Sequence, residues 1–198
     1  ALRDGLDEAS FDEVETPVLQ TKPSGALATP FETHHAALDI PVFMRIAPET
    51  YLKRCIVAGF DRVYEFARVF RNEGMDPSHL QDFTMLEYYS AYWNYIDNMD
   101  FTEKLLRSAI EKCTGSLVVE HASGDIDFGG EWPRISMTDL ILEHAGIDLA
   151  STPDADSLRA AIAAKGIQLE DVKHLGRGAL IDQLYKKTVR PHLKQPTF

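Results

Sequence analysis

The chain has 198 residues, 44% of them hydrophobic and 26% charged, a composition that suits one globular domain or one domain with an insertion. Its 31 acidic residues outnumber its 20 basic residues, and the net charge of −11 excludes a general electrostatic attraction to nucleic acid. Two cysteines do not form a disulfide framework, and no stretch approaches the roughly 18 apolar residues of a membrane-spanning helix. We therefore expect a cytoplasmic protein with no membrane partner.

Short strands and one helix are predicted for the N-terminal part of the chain. In chain order, the patterns predict a helix end over 1–9, a strand over 11–19, a loop over 22–31 and a strand over 41–46. Pro17 interrupts the first strand, as is usual at a sheet edge or a strand end. Pro48 suits the first turn of a helix, and Gly59 suits its left-handed end.

A pair of longer strands is predicted next. The runs 61–70 and 83–92 are rich in Val, Phe and Tyr, which favours strands. The connection over 74–82 is longer than the usual hairpin loop, and long ordered loops are often functional. An apolar residue at every fourth position then predicts a helix over 99–112, which ends at Gly115.

The rest of the chain is predicted to be more helical. A strand, a glycine turn and a second strand are expected over 117–128. Helices joined by polar connections are expected near 138–144, 156–165 and 179–189. The change in character after Gly130 indicates two segments, residues 1–130 and a mainly helical segment over residues 131–198.

Side-chain alternation along the two long strands predicts which polar groups can meet. In the first strand and its continuation, Arg71 and Glu73 have the same parity. In the return strand, Phe83, Glu87 and Tyr89 have the same parity. If the strands pair as a hairpin, all five side chains can lie on one side of the sheet, although a slip of one residue would undo this.

The chemistry of this face leaves two interpretations open. An Arg can bind a phosphate or carboxylate through two hydrogen bonds, and a carboxylate can hold an ammonium group. A base stacked on a Phe ring contributes about 1–3 kcal/mol. The set therefore suits a ligand with a base, a phosphate and an amine. The alternative is a set of exposed Arg–Glu pairs, which contribute only about 0–1 kcal/mol each, and parity alone favours neither interpretation.

Other polar residues give weaker signals. His34 and His35 are adjacent, so in a strand they point to opposite sides and cannot chelate one metal ion together. His79 lies alone in the long connection. The segment 123–130 lacks the residues that complete a calcium loop or a phosphate loop, which favours a β-turn. We predict no metal site and no nucleophilic Ser or Cys.

Four ordered motifs resemble one enzyme family. F-R-N-E-G at 70–74, followed by H-x-x-D-F-T-M-L-E at 79–87, resembles motif 2 of the class II aminoacyl-tRNA synthetases. F-D-E-V-E-T-P at 11–17 resembles the end of their motif 1. Within the class, S-G-A-L-A-T-P-F-E-T-H-H at 24–35 and R-I-A-P-E-T-Y-L-K-R at 45–54 resemble the lysyl-tRNA synthetases.

The resemblance implies a fold and its extent. It is dense from Phe11 to Asn98 and continues more loosely to Phe198. It implies an α+β fold, an antiparallel sheet with flanking helices that is a truncated class II catalytic core. Residues 1–130 would be the N-terminal part of that core, and residues 131–198 a helical insertion that leads back to it.

The resemblance also assigns an ATP-binding role to four residues. Arg71 would be the catalytic residue and would bridge the ATP α-phosphate and the lysine carboxylate, which stabilises charge without a protein nucleophile. Glu73 would bond on the adenine side, and His79 would approach the γ-phosphate. Phe83 would stack on the adenine.

The lysine-binding roles carry over in the same way. Glu49 would pair with the ε-ammonium, and Tyr89 would support that pocket. Glu87 and the backbone carbonyl of Gly25 would take the α-ammonium, while Arg71 would contact the carboxylate. A carboxylate such as Glu49 discriminates against the acid or amide side chains that aspartyl- and asparaginyl-type relatives bind, because a rival would leave a buried charge unpaired.

The sequence departs from the family pattern in three ways. Leu80, Gln81 and Asp82 stand where the family usually has Asn-Pro-Glu, and Ser24 stands at the first Gly of a Gly-Gly-Ala motif. No motif 3, G-x-G-x-G-x-[DE]-R, is present. The carboxylates that hold Mg²⁺ in the family, the anticodon-binding domain and most of the motif 1 helix are also absent.

The implied parent enzyme would use ATP to convert lysine into lysyl-adenylate and would transfer the lysine to tRNA(Lys). It would require Mg²⁺, with ligands absent from this chain, and would be a homodimer. We expect the chain to be a catalytic-domain fragment that is inactive alone. The alternative is a non-catalytic synthetase-like module that binds an amine, a nucleotide or a partner.

Overall fold

A computed structural model describes residues 1–74 and 79–198. The chain divides into two compact units, Ala1–Ala109 and Ile110–Phe198. Helices and mainly antiparallel strands are both present, which confirms the predicted α+β class. The predicted change from core to insertion at residue 130 stays a prediction.

The first unit contains two small sheets and the helices that flank them. Its elements, with the last helix ending beyond the unit, are α1 (Leu2–Glu8), β1 (Asp12–Glu13), β2 (Leu19–Gln20), β3 (Glu32–His35), β4 (Ile40–Met44), α2 (Glu49–Val57), β5 (Arg62–Phe70), β6 (Asp82–Ser90) and α3 (Tyr95–Thr114). One sheet has the strand order β1-β5-β6 and the other has the order β2-β4-β3. The first of these sheets carries the predicted pair of long strands.

The strand predicted over 11–19 is instead two short strands in different sheets. β1 pairs in parallel with β5, whereas β2 pairs antiparallel with β4. Pro17 lies between them and has no backbone N–H to continue a ladder. The connecting segment is held by bonds from Val14 N to Tyr64 O and from Arg45 N to Val18 O, both 2.9 Å long. The change of sheet therefore occurs at the proline.

The hairpin β5–β6 is the longest strand pair of the first unit. Val63, Ala67 and Val69 of β5 are fully buried on one side of the strand. On the other side Tyr64 packs with Leu6 and with other buried side chains of α1, α3 and the first loop. Both faces of β5 are therefore largely covered, and Arg68 is the one exposed residue of the strand. This burial fixes the strand that leads to the polar segment after Phe70.

Two helices of the first unit begin at identifiable caps. Pro48 is the N-cap of α2, one position before the first turn that was predicted for it. Gly59, with φ of +109°, follows the end of that helix as expected. α3 begins at Tyr95 rather than at the predicted residue 99, because the Asn94 side chain accepts hydrogen bonds from the N–H groups of Ile96 and Asp97.

The second unit is mostly helical. Its elements are β7 (Val118–Val119), β8 (Ile126–Asp127), α4 (Met137–Ala145), α5 (Ala155–Ala164), α6 (Arg177–Thr188) and a short 3-10 helix (Arg190–His192). Apolar residues from these helices form its core, chiefly Leu140, Ile141, Leu158, Ile162, Leu180 and Leu184. The three predicted helices are confirmed, each within about two residues at its ends. In the described residues, no helix is long and apolar enough to cross a membrane.

Candidate functional site

The register of the β5–β6 hairpin determines which side chains share a face. Val63 lies opposite Tyr89, Glu65 opposite Glu87, and Val69 opposite Phe83. Directly opposed residues project to the same side of an antiparallel pair. Phe83, Glu87 and Tyr89 therefore share one face of the sheet, as the alternation pattern predicted.

A cavity of about 380 Å³ lies at the open end of this hairpin. Its lining residues are Arg71, Glu73, Gly74, His79, Leu80 and Phe83. The Arg71 guanidinium lies 5.3 Å from the centre of the Phe83 ring, and Arg71 N donates to Gln81 O at 2.7 Å. The family resemblance assigns ATP binding to four residues, and all four line this cavity: Arg71, Glu73, His79 and Phe83. Residues 75–78 of the long connection lie outside the described residues.

The Pro- and Gly-rich loop over 22–31 is tied to this cavity. Thr29 N donates to a Glu73 carboxylate oxygen at 3.1 Å, and Asn72 N donates to Thr29 O at 2.8 Å. Gln81 Nε2 donates to Glu73 O at 3.4 Å. The loop therefore holds Glu73 beside the cavity, through backbone groups that leave no pattern in the sequence.

A second cluster contains three of the residues to which the resemblance assigns lysine binding, Glu49, Glu87 and Tyr89. The Tyr89 hydroxyl donates to Glu87 Oε2 at 3.3 Å. Lys53 Nζ donates to Glu49 Oε1 at 2.6 Å and lies 5.8 Å from the centre of the Tyr89 ring. The sequence patterns did not single out Lys53, although it follows Glu49 by one helical turn.

Gly25 reaches this second cluster through its backbone. Its φ is +91°, and a Cβ added there would lie 3.0 Å from Glu49 Cβ and 3.2 Å from Ala47 Cβ. Only glycine allows so close an approach in that conformation. The neighbouring Ser24 uses its hydroxyl to accept a hydrogen bond from Thr50 Oγ1 at 2.9 Å. The departure at Ser24 thus gives the loop a further tie to α2.

Electrostatics in the second cluster favour a bound cation. Burial raises the pKa of the Glu87 carboxyl above its ordinary value, the hydrogen bond from Tyr89 opposes this shift, and the Glu49 carboxylate adds to it. The Arg71 charge lowers the same pKa, so Arg71 acts on this cluster as well as on the cavity. Burial also raises the pKa of Tyr89, and the two carboxylates raise it further. A positive ligand between these groups would relieve the repulsion.

A buried ion pair lies on the same face of the sheet as Glu87. Arg45 Nη1 donates to Glu65 Oε1 at 2.6 Å, and both side chains are about 5% exposed or less. Arg45 Nε donates to Arg68 O at 2.8 Å, and the Thr16 hydroxyl donates to Glu65 Oε2 at 2.6 Å. No sequence pattern indicated this network, although Glu65 has the parity of the site residues. It fixes the buried carboxylate that lies opposite Glu87.

The remaining polar candidates have local roles. His34 Nε2 lies 3.1 Å from Asp39 Oδ1, and the His35 ring accepts a bond from Leu38 N. At 123–130 the chain turns at Gly124, where φ is +109°, and joins β7 to β8. Across residues 1–74 and 79–198, no group of three or more His, Cys, Asp or Glu side chains is arranged to hold a metal ion. The described residues therefore do not fit a Mg²⁺ site by themselves.

Comparison with known proteins gives consistent matches over the full chain. A lysine–tRNA ligase of Dehalococcoides mccartyi is 46% identical over 198 residues, and one of Pelotomaculum thermopropionicum is 44% identical over 198 residues. A lysine–tRNA ligase of Christiangramia forsetii is 45% identical over 198 residues. Each alignment covers 100% of this chain but only 39%, 39% and 34% of the respective relative.

The chain thus spans less than two-fifths of the length of the curated relatives it matches. The sequence profile of the family "tRNA synthetases class II (D, K and N)" matches residues 1–189. Nearly the whole chain is therefore covered by one family, and the motifs and the hairpin face lie within the match. The chain belongs to the class II tRNA synthetases, in the group designated D, K and N.

Proposed function

We propose that this chain forms the lysine- and ATP-binding part of the active site of a lysine–tRNA ligase. The observation that carries the proposal is the hairpin register, which brings Phe83, Glu87 and Tyr89 to one face beside Arg71. One end of that face has a cation and an aromatic ring for a nucleotide. The other end has carboxylates for an amine. The relatives named as lysine–tRNA ligases support the same substrate.

At the nucleotide end, the proposed ligand is ATP. Phe83 offers a ring on which adenine can stack, and Arg71 offers a guanidinium to the α-phosphate. Glu73 has hydrogen-bonding capacity for the adenine edge, and His79, which also lines the cavity, would approach the γ-phosphate. A volume of about 380 Å³ is within the range of small-ligand pockets.

At the amine end, the proposed ligand is lysine. Glu49 would accept the ε-ammonium beside Tyr89, and Glu87 with the carbonyl of Gly25 would accept the α-ammonium. The raised pKa of Glu87 supports this assignment, because its charged form lacks a full counter-charge until a cation binds. An aspartate or asparagine side chain would face carboxylates without an ammonium to pair with them.

The proposed reaction needs no protein nucleophile. A lysine carboxylate oxygen attacks the α-phosphorus of ATP, a new P–O bond forms, and the bond to pyrophosphate breaks to give lysyl-adenylate. Arg71 contacts both reacting groups and stabilises the charge that develops on the phosphate. In the second step a terminal tRNA hydroxyl attacks the lysyl carbonyl, and AMP leaves.

Three further expectations belong to this proposal. The complete ligase would act as a homodimer on tRNA(Lys), and a tRNA substrate accounts for the cytoplasmic location expected from the sequence. Mg²⁺ would assist ATP binding through ligands outside this chain, so no step is assigned to it here. The 198-residue chain alone would show little or no lysine activation, because the motif 3 arginine is absent from it.

Lysine-dependent exchange of pyrophosphate into ATP by the complete gene product tests the proposal. Arg71→Ala should lower kcat/KM by at least about 100-fold, because a preorganised charge in the transition state is lost. Arg68→Ala is the matched control, since Arg68 lies on β5 three residues before Arg71, has the opposite parity and pairs with the exposed Asp82. The control should stay within about twofold of the wild type. Exchange that survives Arg71→Ala would contradict the assignment.

Calorimetric titration with ATP and with lysine separates this proposal from a non-catalytic module. A ligase binds both ligands and catalyses exchange. Binding of both ligands by the complete gene product without any exchange would favour the module instead.

A further inference from the structure

Lys53 occupies the position that the proposed function gives to the substrate's ε-ammonium. Its Nζ lies 2.6 Å from Glu49 Oε1 and 5.8 Å from the centre of the Tyr89 ring. These are the carboxylate and the ring that would receive the side chain of a bound lysine. The substrate side chain ends in the same primary ammonium as Lys53. The protein therefore places an ammonium of its own against this carboxylate and this ring.

We propose that Lys53 is a specificity-determining residue that competes with the substrate ammonium for Glu49. The inference rests on the proposed function, because it requires lysine to bind at this cluster. Glu49 and Lys53 are four residues apart on α2, so the pair forms without any change in the backbone. When a substrate binds, the Lys53 side chain would rotate away from Glu49, or both ammonium groups would contact the Glu49 carboxylate.

The exposure of the pair makes the competition mild. The Lys53 side chain is 58% exposed, and that of Glu49 is 33% exposed. Exposed Glu–Lys pairs at this helical spacing shift an equilibrium by only about twofold. If Lys53 remains near, repulsion between two ammonium groups on one carboxylate adds a further factor of several. Loss of the Lys53 charge should therefore tighten lysine binding by about 2- to 10-fold.

The Glu49–Lys53 ion pair affects which amino acids can bind at this cluster. Lys53 pairs with the Glu49 carboxylate, which is one of the charges that raise the pKa of Glu87, and this limits repulsion between the two carboxylates. An amino acid with a neutral side chain cannot replace Lys53 as the partner of Glu49. The Glu49–Lys53 pair would therefore stay in place, and the Lys53 side chain would still occupy part of the pocket. A ligand with a side-chain ammonium replaces the Glu49–Lys53 ion pair with an ion pair of the same kind between Glu49 and the ligand. Lys53 thus disfavours amino acids with neutral side chains, and it weakens lysine binding by about 2- to 10-fold at the same time.

The opposite role for Lys53 predicts the opposite result. If Lys53 only orients Glu49 toward the substrate, its removal leaves the carboxylate free to rotate and weakens lysine binding. The sign of the change in lysine affinity therefore separates competition from orientation.

The test is calorimetric titration of the complete gene product with L-lysine and, separately, with ATP. Lys53→Met removes the charge and keeps a side chain of similar length, whereas the conservative variant Lys53→Arg keeps the charge and should restore competition. Lys104→Met, on an exposed position of α3, is the control for a general change in net charge. The titrations are repeated near 1 M salt, where the Debye length falls to about 3 Å.

Competition predicts a lysine Kd about 2- to 10-fold lower in Lys53→Met than in the wild type, with an unchanged ATP Kd and a smaller difference at high salt. An equal or higher lysine Kd in Lys53→Met overturns the inference and leaves the proposed function intact. Absence of lysine binding in the wild type, with ATP still bound, overturns the proposed function and the inference with it.

Discussion

Glu87 is the residue whose surroundings most directly indicate a cationic ligand. It is half-buried, it accepts a hydrogen bond from Tyr89, and the Glu49 carboxylate lies close enough to raise its pKa. An ionised carboxyl that is partly desolvated without a full counter-charge lowers the stability of the folded protein. Such a cost at a candidate binding site is consistent with a group arranged for a ligand rather than for folding.

Glu87→Gln should therefore stabilise the protein in a pH-dependent way. The carboxyl is neutral in both the folded and the unfolded states below its unfolded pKa of about 4.3, so the penalty is absent there. The penalty grows as pH rises through the raised folded pKa, and it is complete above it. Urea unfolding should show a gain of less than about 1 kcal/mol near pH 7.5, since the group is half-exposed.

The gain from Glu87→Gln should disappear as the pH falls toward about 4. The control is Glu32→Gln, which changes an exposed carboxylate on β3 and should alter the stability little at either pH. A loss of stability in Glu87→Gln at neutral pH would show that the ionised carboxylate is already satisfied without a ligand.

At the scale of the elements, the site depends on a loop that approaches a helix. The loop over 22–31 contacts α2 at Gly25 and contacts the segment after β5 at Glu73. Its backbone makes the contacts at Gly25 and Thr29, and the Ser24 hydroxyl adds a bond to Thr50, so one loop links the two clusters of the site. A change at one glycine should therefore disturb both folding and lysine binding.

Gly25→Ala should destabilise the protein by about 1–3 kcal/mol, because the backbone has a φ of +91° and the new Cβ would lie 3.0 Å from Glu49 Cβ. Lysine affinity should fall with it, since Glu49 must move. Gly178→Ala, in helix α6 with no atom within 4 Å of the added Cβ, should instead stabilise by about 0.5–1 kcal/mol. Urea unfolding of the two variants measures whether each substitution lowers or raises the free energy of unfolding. Equal stability of Gly25→Ala and the wild type would refute the close approach of Gly25 to Glu49.

The buried ion pair between Arg45 and Glu65 of β5 is the second feature that holds the site in place at the scale of the elements. Arg45→Met should cost about 3–5 kcal/mol, because it leaves the Glu65 carboxylate buried without a counter-charge. The double variant Arg45→Met with Glu65→Leu should recover a large part of that loss. The matched control is Arg68→Met, which breaks an exposed pair with Asp82 and should cost at most about 1 kcal/mol. Similar losses in urea unfolding for Arg45→Met and Arg68→Met would contradict the buried assignment.

The elements that were predictable from sequence are those in which burial imposes a period. The β5–β6 hairpin and the three later helices follow from their apolar patterns, and the hairpin parity brought the site residues to one face. The exposed strand β3 has no apolar alternation, and the change of sheet at Pro17 depends on partners far along the chain. Arg45 and Thr29 were missed because their contacts are long-range or are made by the backbone. The Glu49–Lys53 pair is local, and its spacing of four residues on a helix was a signal that the sequence contained.

On the scale of the whole molecule, the chain combines an acidic net charge of −11 with a site that has an arginine at one end and carboxylates at the other. The family match covers residues 1–189, yet the chain spans only 39% of relatives such as the ligase of Dehalococcoides mccartyi. In the proposed function, the site residues of this chain bind and orient the small substrates. The transfer to tRNA belongs to the proposal for the complete protein.

The choice among the three amino acids of the D, K and N group tests the central claim most directly. Pyrophosphate exchange by the complete gene product should depend on lysine, with aspartate and asparagine giving rates at least about 100-fold lower, because neither has a side-chain ammonium to pair with the Glu49 carboxylate. Glu49→Gln should reduce the preference for lysine. Exchange driven by aspartate or asparagine as well as by lysine would contradict the assignment of this face to a lysine and its ATP.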